Sequence, residues 1–251
     1  EQDSVAKWIV KMEPLVQKSG LWDYFFDARR FQIDLYTFTE QYELAISEAN
    51  KMKQKALDID NNRGMVAAYQ CLSNAYIGSQ RWDEGLKALE EAYRLLPKNG
   101  NAVVRISVLS QLISVTKEMK DNNRQLKYLQ ELENVLCKFI IDNPSLKDGS
   151  ADVFIFNEIF YAHYYLNTDQ PQLAYSHIEK SKKYLTENTY FMYKVLYYDI
   201  YAKYYQSIKQ YQQASAYIDT TLTMLKKDFT SDYAEQLLKQ AKIWVEAGDN
   251  N

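Results

Sequence analysis

Apolar residues in this chain recur at helical rather than strand spacing. Across 66–99, "VAAYQCLSNAYIGSQRWDEGLKALEEAYRLLPKN", Leu72, Ser73 and Tyr76 share one helical face. A polar break, "GSQRWD", follows. Gly85, Leu89 and Ala92 then share a face of a second helix, which Pro97 stops. The pattern predicts two antiparallel helices joined by a short turn. The chain also repeats itself. "YAHYYLNTDQPQLAYSHIEKSKKYL" at 161–185 returns as "YAKYYQSIKQYQQASAYIDTTLTML" at 201–225. Tyr161, Ala162, Tyr164, Tyr165, Gln170, Gln172, Ala174, Ile178 and Leu185 all recur at an offset of forty. Self-similarity at a fixed period of this size marks stacked helical units, each too small to bury its own apolar face.

The same frame places units at 26–59, 66–99, 106–139, 155–188 and 195–228. Small residues that recur, Ala162, Ala174, Ala202 and Ala214, suit helix crossings, and the recurring Tyr suit the gaps beside them. The unit at 106–139 departs most, with Thr116 at a Tyr place and Gln125 at a small-residue place. The longer step from 106 to 155 is taken up by "IDNPSLKDGSAD", 141–152, a loop composition where stacking can bend. Before the first unit, Val5, Trp8, Met12, Leu15 and Val16 predict a helix over 4–19 that covers it. Pro14 is expected to kink or split that helix. After the last unit, 231–247 is amphipathic and lacks a second helix. It is either a modified cap or the first helix of a sixth unit, since "EAGDNN" looks like the break "EMKDNN" at 118–123. The expected fold is all-α: a single right-handed α-solenoid domain of five helix pairs plus terminal helices, with no sheet.

Charge changes the picture by exclusion. Lys plus Arg number 30 against 33 Asp plus Glu, and no basic run exceeds two, so no nucleic-acid footprint is visible. The most apolar stretch, 153–166, carries Asn157, Glu158 and His163 and is too short to span a bilayer. No GxGxxG, GxxxxGK, HExxH or GxSxG occurs, so the region is expected to be non-enzymatic, without cofactor or metal. His163 and His177 fall on different helices and suit polar surface roles. Cys71 and Cys137 are expected as small packing residues. Most of the 22 Tyr are expected in packing.

The unit at 66–99 resembles the tetratricopeptide repeat (TPR), with Tyr69, Leu72, Ser73, Tyr76, Gly85, Leu89, Ala92 and Pro97 standing at its signature places. That family's period is about 34 residues, so these units are longer. The resemblance implies a concave face lined by the first helix of each unit, with ligand contacts at its variable positions. Carried over, these include Arg30 and Asp34, Gln70 and Asn74, Ser110 and Ser114, Phe156, Ile159 and His163, and Asp199 and Lys203. Chaperone-type capture of a terminal carboxylate is not expected, because its Lys and Asn places hold Arg30, Asp34, Cys71, Ser107 and Gln111. The implied partner is a protein or peptide in the groove, with a second copy of the chain as a competing occupant and possible homodimer.

A long second helix, then "DNNRG", then "AAYQCLSNAY" within 42–77 resembles the extracytoplasmic TPR regions of bacterial two-component sensor histidine kinases. That resemblance implies a periplasmic ligand-sensing region of a larger membrane protein. The alternative is a free-standing, cytoplasmic adaptor or scaffold.

Overall fold

The computed structural model describes residues 2–97, 100–146, 148–225 and 230–248. They form twelve α-helices and two short 3-10 turns, with no strand among the described residues. The helices fall into two compact units, 1–121 and 122–251. Unit 1 holds α1 (Gln2–Ser19), α2 (Trp22–Phe38), α3 (Tyr42–Asp58), α4 (Asn62–Gly78), α5 (Trp82–Leu95) and α6 (Ala102–Glu118). Unit 2 holds α7 (Asn122–Asp142), α8 (Ala151–Asn167), α9 (Pro171–Lys182), α10 (Phe191–Ser207), α11 (Tyr211–Leu225) and α12 (Thr230–Ala247). We call the first helix of each pair A (α2, α4, α6, α8, α10) and the second B (α3, α5, α7, α9, α11).

The forty-residue period is carried by the backbone. A helices start at 22, 62 and 102, and again at 151 and 191, four residues before the starts of the sequence frame. Two of those earlier starts have side-chain caps. Asn61 accepts from the Gly64 amide at 2.6 Å, and Asn101 accepts from the Val103 amide at 2.9 Å. Every A helix ends in one turn design. A non-glycine residue takes a left-handed conformation (Glu40, Gln80, Lys120, Asp169, Lys209), and the next amide reaches back to the carbonyl of Tyr36, Tyr76, Thr116, Tyr165 or Tyr205 at 2.8–2.9 Å. Thr116 keeps this turn, so the departure of its unit lies in side-chain size.

Crossings are packed through small groups. The fourth residue of α3, α5, α9 and α11 is Ala45, Gly85, Ala174 and Ala214, all buried. A Cβ at Gly85 would lie 2.7 Å from Ile77, and one at Gly64 would lie 2.7 Å from the Phe26 ring, so both glycines are dictated by close approach. The first core joins Phe25, Phe26, Ile33, Ala49, Met52 and Leu72 in unit 1.

Three expectations need correction. Pro14 does not split its helix: α1 is continuous. Ile9 and Val16 anchor both halves in the core, and Glu13 meets Lys55 at 2.7 Å, which outweighs one lost backbone bond. The 141–152 segment is not all loop, because α7 runs to Asp142 and 3-10 turns follow at Pro144–Leu146 and Asp148–Ser150. Cys137 is exposed rather than packed, while Cys71 is buried.

Candidate functional site

Side chains on α2, α4 and α6 form a polar ladder in unit 1. Arg30 Nε lies 3.7 Å from Asp34 on α2, and Asp34 accepts a hydrogen bond from Asn74 on α4. Gln70 of α4 donates to Gln111 Oε1 at 2.9 Å and to Ser107 Oγ at 3.4 Å, both on α6. Gln111 donates in turn to Asn74 Oδ1 at 3.5 Å. One turn on each of three helices is thus tied largely by amides, which fix positions without fixing charge. Partial burial raises the Asp34 carboxyl above its ordinary range, against the opposing pull of Arg30 and Asn74. Cys71 behind them is pushed up to about 12 by burial and by the Asp34 charge, so it stays a thiol and is no nucleophile.

At the N-terminal end of these helices lies a cleft of about 480 Å³. Val66, Ala67, Val103 and Val104 give it an apolar wall, closed by Leu96 and Pro97 from the α5–α6 connection. Arg30, Gln70 and Ser107 line its polar side. Arg63 at the rim is held by Asp23 and Asp27 at 3.0 Å each, so Asp27 is already engaged. The combination can take an apolar side chain while hydrogen-bonding a backbone or an acidic group.

The residues expected from the sequence separate accordingly. Arg30, Asp34, Gln70 and Asn74 lie in this ladder, though Gln70 is buried and acts as a tether more than a free contact. Ser110 and Ser114 are half-buried on α6 and do not line the cleft. In unit 2, Ile159 is fully buried and cannot serve as an apolar contact, because it packs into the core side of α8. Phe156 stacks on Phe160 at 4.1 Å. His163 is buried rather than at the surface, 3.3 Å from Lys203 Nζ, which also donates to Asn167 at 2.9 Å. Asp199 is ion-paired with Lys239 at 2.7 Å. His177 is not a free surface group either: its ring stacks on Tyr161 and Tyr165, and Nδ1 meets Glu158 at 2.6 Å. The unit 2 ladder is therefore satisfied internally; a cleft of about 430 Å³ in that unit lies away from the ladder, lined by Lys209, Gln210, Tyr211 and Trp244, and the cleft beside a polar ladder is the one in unit 1.

The sequence frame missed Arg63, Val103 and Val104 because it began each unit at 66 or 106, one turn late. The capping residues Asn61 and Asn101 were the signal for the earlier start. No group of three His, Cys, Asp or Glu that could hold a metal occurs among the described residues, and no helix among them is long and apolar enough to cross a membrane.

No protein-family model matches the chain, and no curated protein matches it by sequence. Solved structures do. BtubC (BKLC) from P. vanneervenii superposes with a TM-score of 0.71 at 14% identity over 89% of each chain. A putative kinesin light chain of Podosopora anserina with nearly identical TPR-like repeats superposes at 0.60, 15% identical, over 80% of this chain and 95% of that one. Its Q17M form gives 0.61 at 14% identity over the same shares. The fold is an all-α array of TPR-like helix pairs, of the α-solenoid class.

Proposed function

We propose that the chain is a non-enzymatic module that binds an extended polypeptide in the cleft of α2, α4 and α6. The observation that carries this reading is the cleft itself: an apolar wall of valines facing Arg30 and Ser107, on helices whose side chains repeat at the spacing of a ladder. A ladder suits a chain-like ligand better than a compact metabolite. The preferred peptide has an aliphatic anchor for the Val66–Val103–Val104 wall and an acidic group or backbone carbonyl for Arg30. A peptide-display selection against the chain would identify it. Arg30→Glu should weaken the selected peptide by roughly tenfold or more, the scale of one charge-assisted hydrogen bond. Val103→Asp should do the same, while Lys203→Ala should leave binding unchanged. Retention by both cleft variants sinks the cleft as the site.

The finer reading is a ligand-sensing region of a membrane-bound, two-component type signalling protein, with this part outside the cytoplasm. It is supported by the resemblance of 42–77 to such regions. A topology reporter fused to the full-length gene product decides between this and a free-standing adaptor: a cytoplasmic position for these residues would rule the sensor reading out.

A further inference from the structure

The row of polar side chains behind the unit 1 cleft has a direction. It begins at Asp34, which as a carboxylate accepts hydrogen bonds and donates none. Arg30, 3.7 Å away, favours that charged form. Asn74 therefore turns its nitrogen toward Asp34 and its oxygen toward α6. Gln111 meets that oxygen with Nε2 at 3.5 Å, which leaves Gln111 Oε1 for Gln70. Gln70 meets it in turn with Nε2 at 2.9 Å. Each amide donates with one end and accepts with the other, so the charge at Asp34 sets the orientation of all three.

The row ends at the cleft. Asp34, Asn74 and Gln111 do not line it, whereas Gln70 and Ser107 do. The Gln70 nitrogen carries two hydrogens, and both have acceptors: Gln111 Oε1 at 2.9 Å and Ser107 Oγ at 3.4 Å. What Gln70 has left to offer is its carbonyl oxygen. That oxygen has no partner among the described residues and is not sealed in the interior. Ser107 is exposed, and because its Oγ accepts from Gln70, its own hydrogen points elsewhere. An acceptor and a donor thus stand side by side at the cleft. In an extended chain the N–H and C=O of one residue are exchanged together with one partner, as between paired strands.

We infer that Gln70 and Ser107 read the backbone of the bound polypeptide: Gln70 Oε1 accepts the N–H of one ligand residue, and Ser107 Oγ donates to the C=O of the same residue. This rests on the reading of the cleft as a peptide site and specifies how the peptide is held there. Backbone recognition leaves the ligand's side chains to the Val66–Val103–Val104 wall and to Arg30, so it sets register while they select sequence. The relay from Asp34 decides which end of the Gln70 amide faces the ligand. Gln111, which does not line the cleft, is accordingly a positioning residue for that amide.

The probe is the peptide selected by display against the chain, with a series in which each backbone amide in turn is replaced by an ester, removing one N–H. Calorimetric titration should find one ester that binds roughly tenfold more weakly, the scale of one hydrogen bond left unmade. Gln111→Glu keeps an acceptor facing Gln70 and should preserve that loss. Gln111→Lys offers Gln70 hydrogens only, so the Gln70 oxygen turns inward and the ester should bind as well as the amide. A purely structural role for Gln111 would instead weaken amide and ester alike in both variants. Gln70→Met, which has no carbonyl, should also abolish the difference, and it replaces Gln111→Lys if circular dichroism shows that variant unfolded. If Val103→Asp weakens the peptide but no ester costs affinity, or the lysine or methionine variant keeps the full loss, the inference is overturned and the cleft reading stands. A peptide retained by both Arg30→Glu and Val103→Asp overturns both.

Discussion

In unit 1, the seventh residue of B helix α3 is Glu48, which meets Arg29 of α2 at 2.9 Å. In unit 2, the seventh residue of α11 is Tyr217, which stacks on three tyrosines of α10. The backbone places are the same; the glue is an ion pair in one unit and a ring stack in the other. The ring stack brings an obligation that the ion pair does not. Buried phenols need acceptors. Tyr161 finds one in Glu133 at 3.0 Å, and Tyr201 in Glu179, each on the preceding B helix. Unit 2 therefore ties consecutive pairs through Tyr–Glu bonds and leaves its A-helix ladder closed, whereas unit 1 uses smaller groups and keeps a cleft beside its ladder. A fixed repeat geometry tolerates both because it constrains distance between helix axes, and several side-chain combinations fill that distance.

The sharpest way to break this comparison is to remove the ring at its centre. Tyr217→Ala should cost about 3 kcal/mol in urea unfolding, whereas Glu48→Ala should cost about 1 kcal/mol. Equal losses would mean that the stack carries no special weight. Next, Ala174→Phe should destabilise by roughly 1–3 kcal/mol through overpacking, and Ala45→Phe by a similar amount, because both crossings are fully buried. A melting temperature unchanged in either would mean that the crossing is misplaced.

A third test uses pH. Burial first, then the neighbouring Glu179, raise the Tyr201 phenol far above its ordinary range, and burial with Glu133 does the same for Tyr161. The folded state therefore holds these protons where the unfolded chain, with phenols near 10, releases them. Stability from both groups is complete below about pH 10 and lost as pH rises beyond it. Tyr161→Phe with Tyr201→Phe should cost about 1–2 kcal/mol at neutral pH and flatten the alkaline loss. An alkaline limb as steep as wild type would contradict the assigned cause. The smallest effect is expected at the shared turns. Lys120→Gly and Lys209→Gly should each be neutral or stabilise by about 0.5–1 kcal/mol, since both residues hold left-handed backbone that glycine adopts freely. Loss of stability at one and not the other would show that the two units do not share the turn.

Much of the fold was legible in the residues. The apolar spacing of 66–99 and the repeated tyrosines of 161–225 specify helix pairs, because helical periodicity is a local property that a sequence displays directly. The candidate site was less so. Arg30, Asp34 and Asn74 stood out by position, but Ile159 and His163 did not reveal their burial, which depends on neighbours distant in sequence. Arg63 and Val103 were passed over because the frame followed the apolar face of each helix and not its capped first turn.

By itself, then, the sequence determined the helices, their forty-residue period and the small residues at crossings, all of which follow from spacing along one chain. Only the tertiary structure decided which polar groups are spent on each other, such as Lys203 with Asn167 or Arg63 with Asp23 and Asp27, and which remain to line a cleft. The reason is physical: hydrogen-bond and ion-pair partners are set by distances between helices, and a charge reads the same in sequence whether it faces a partner or water.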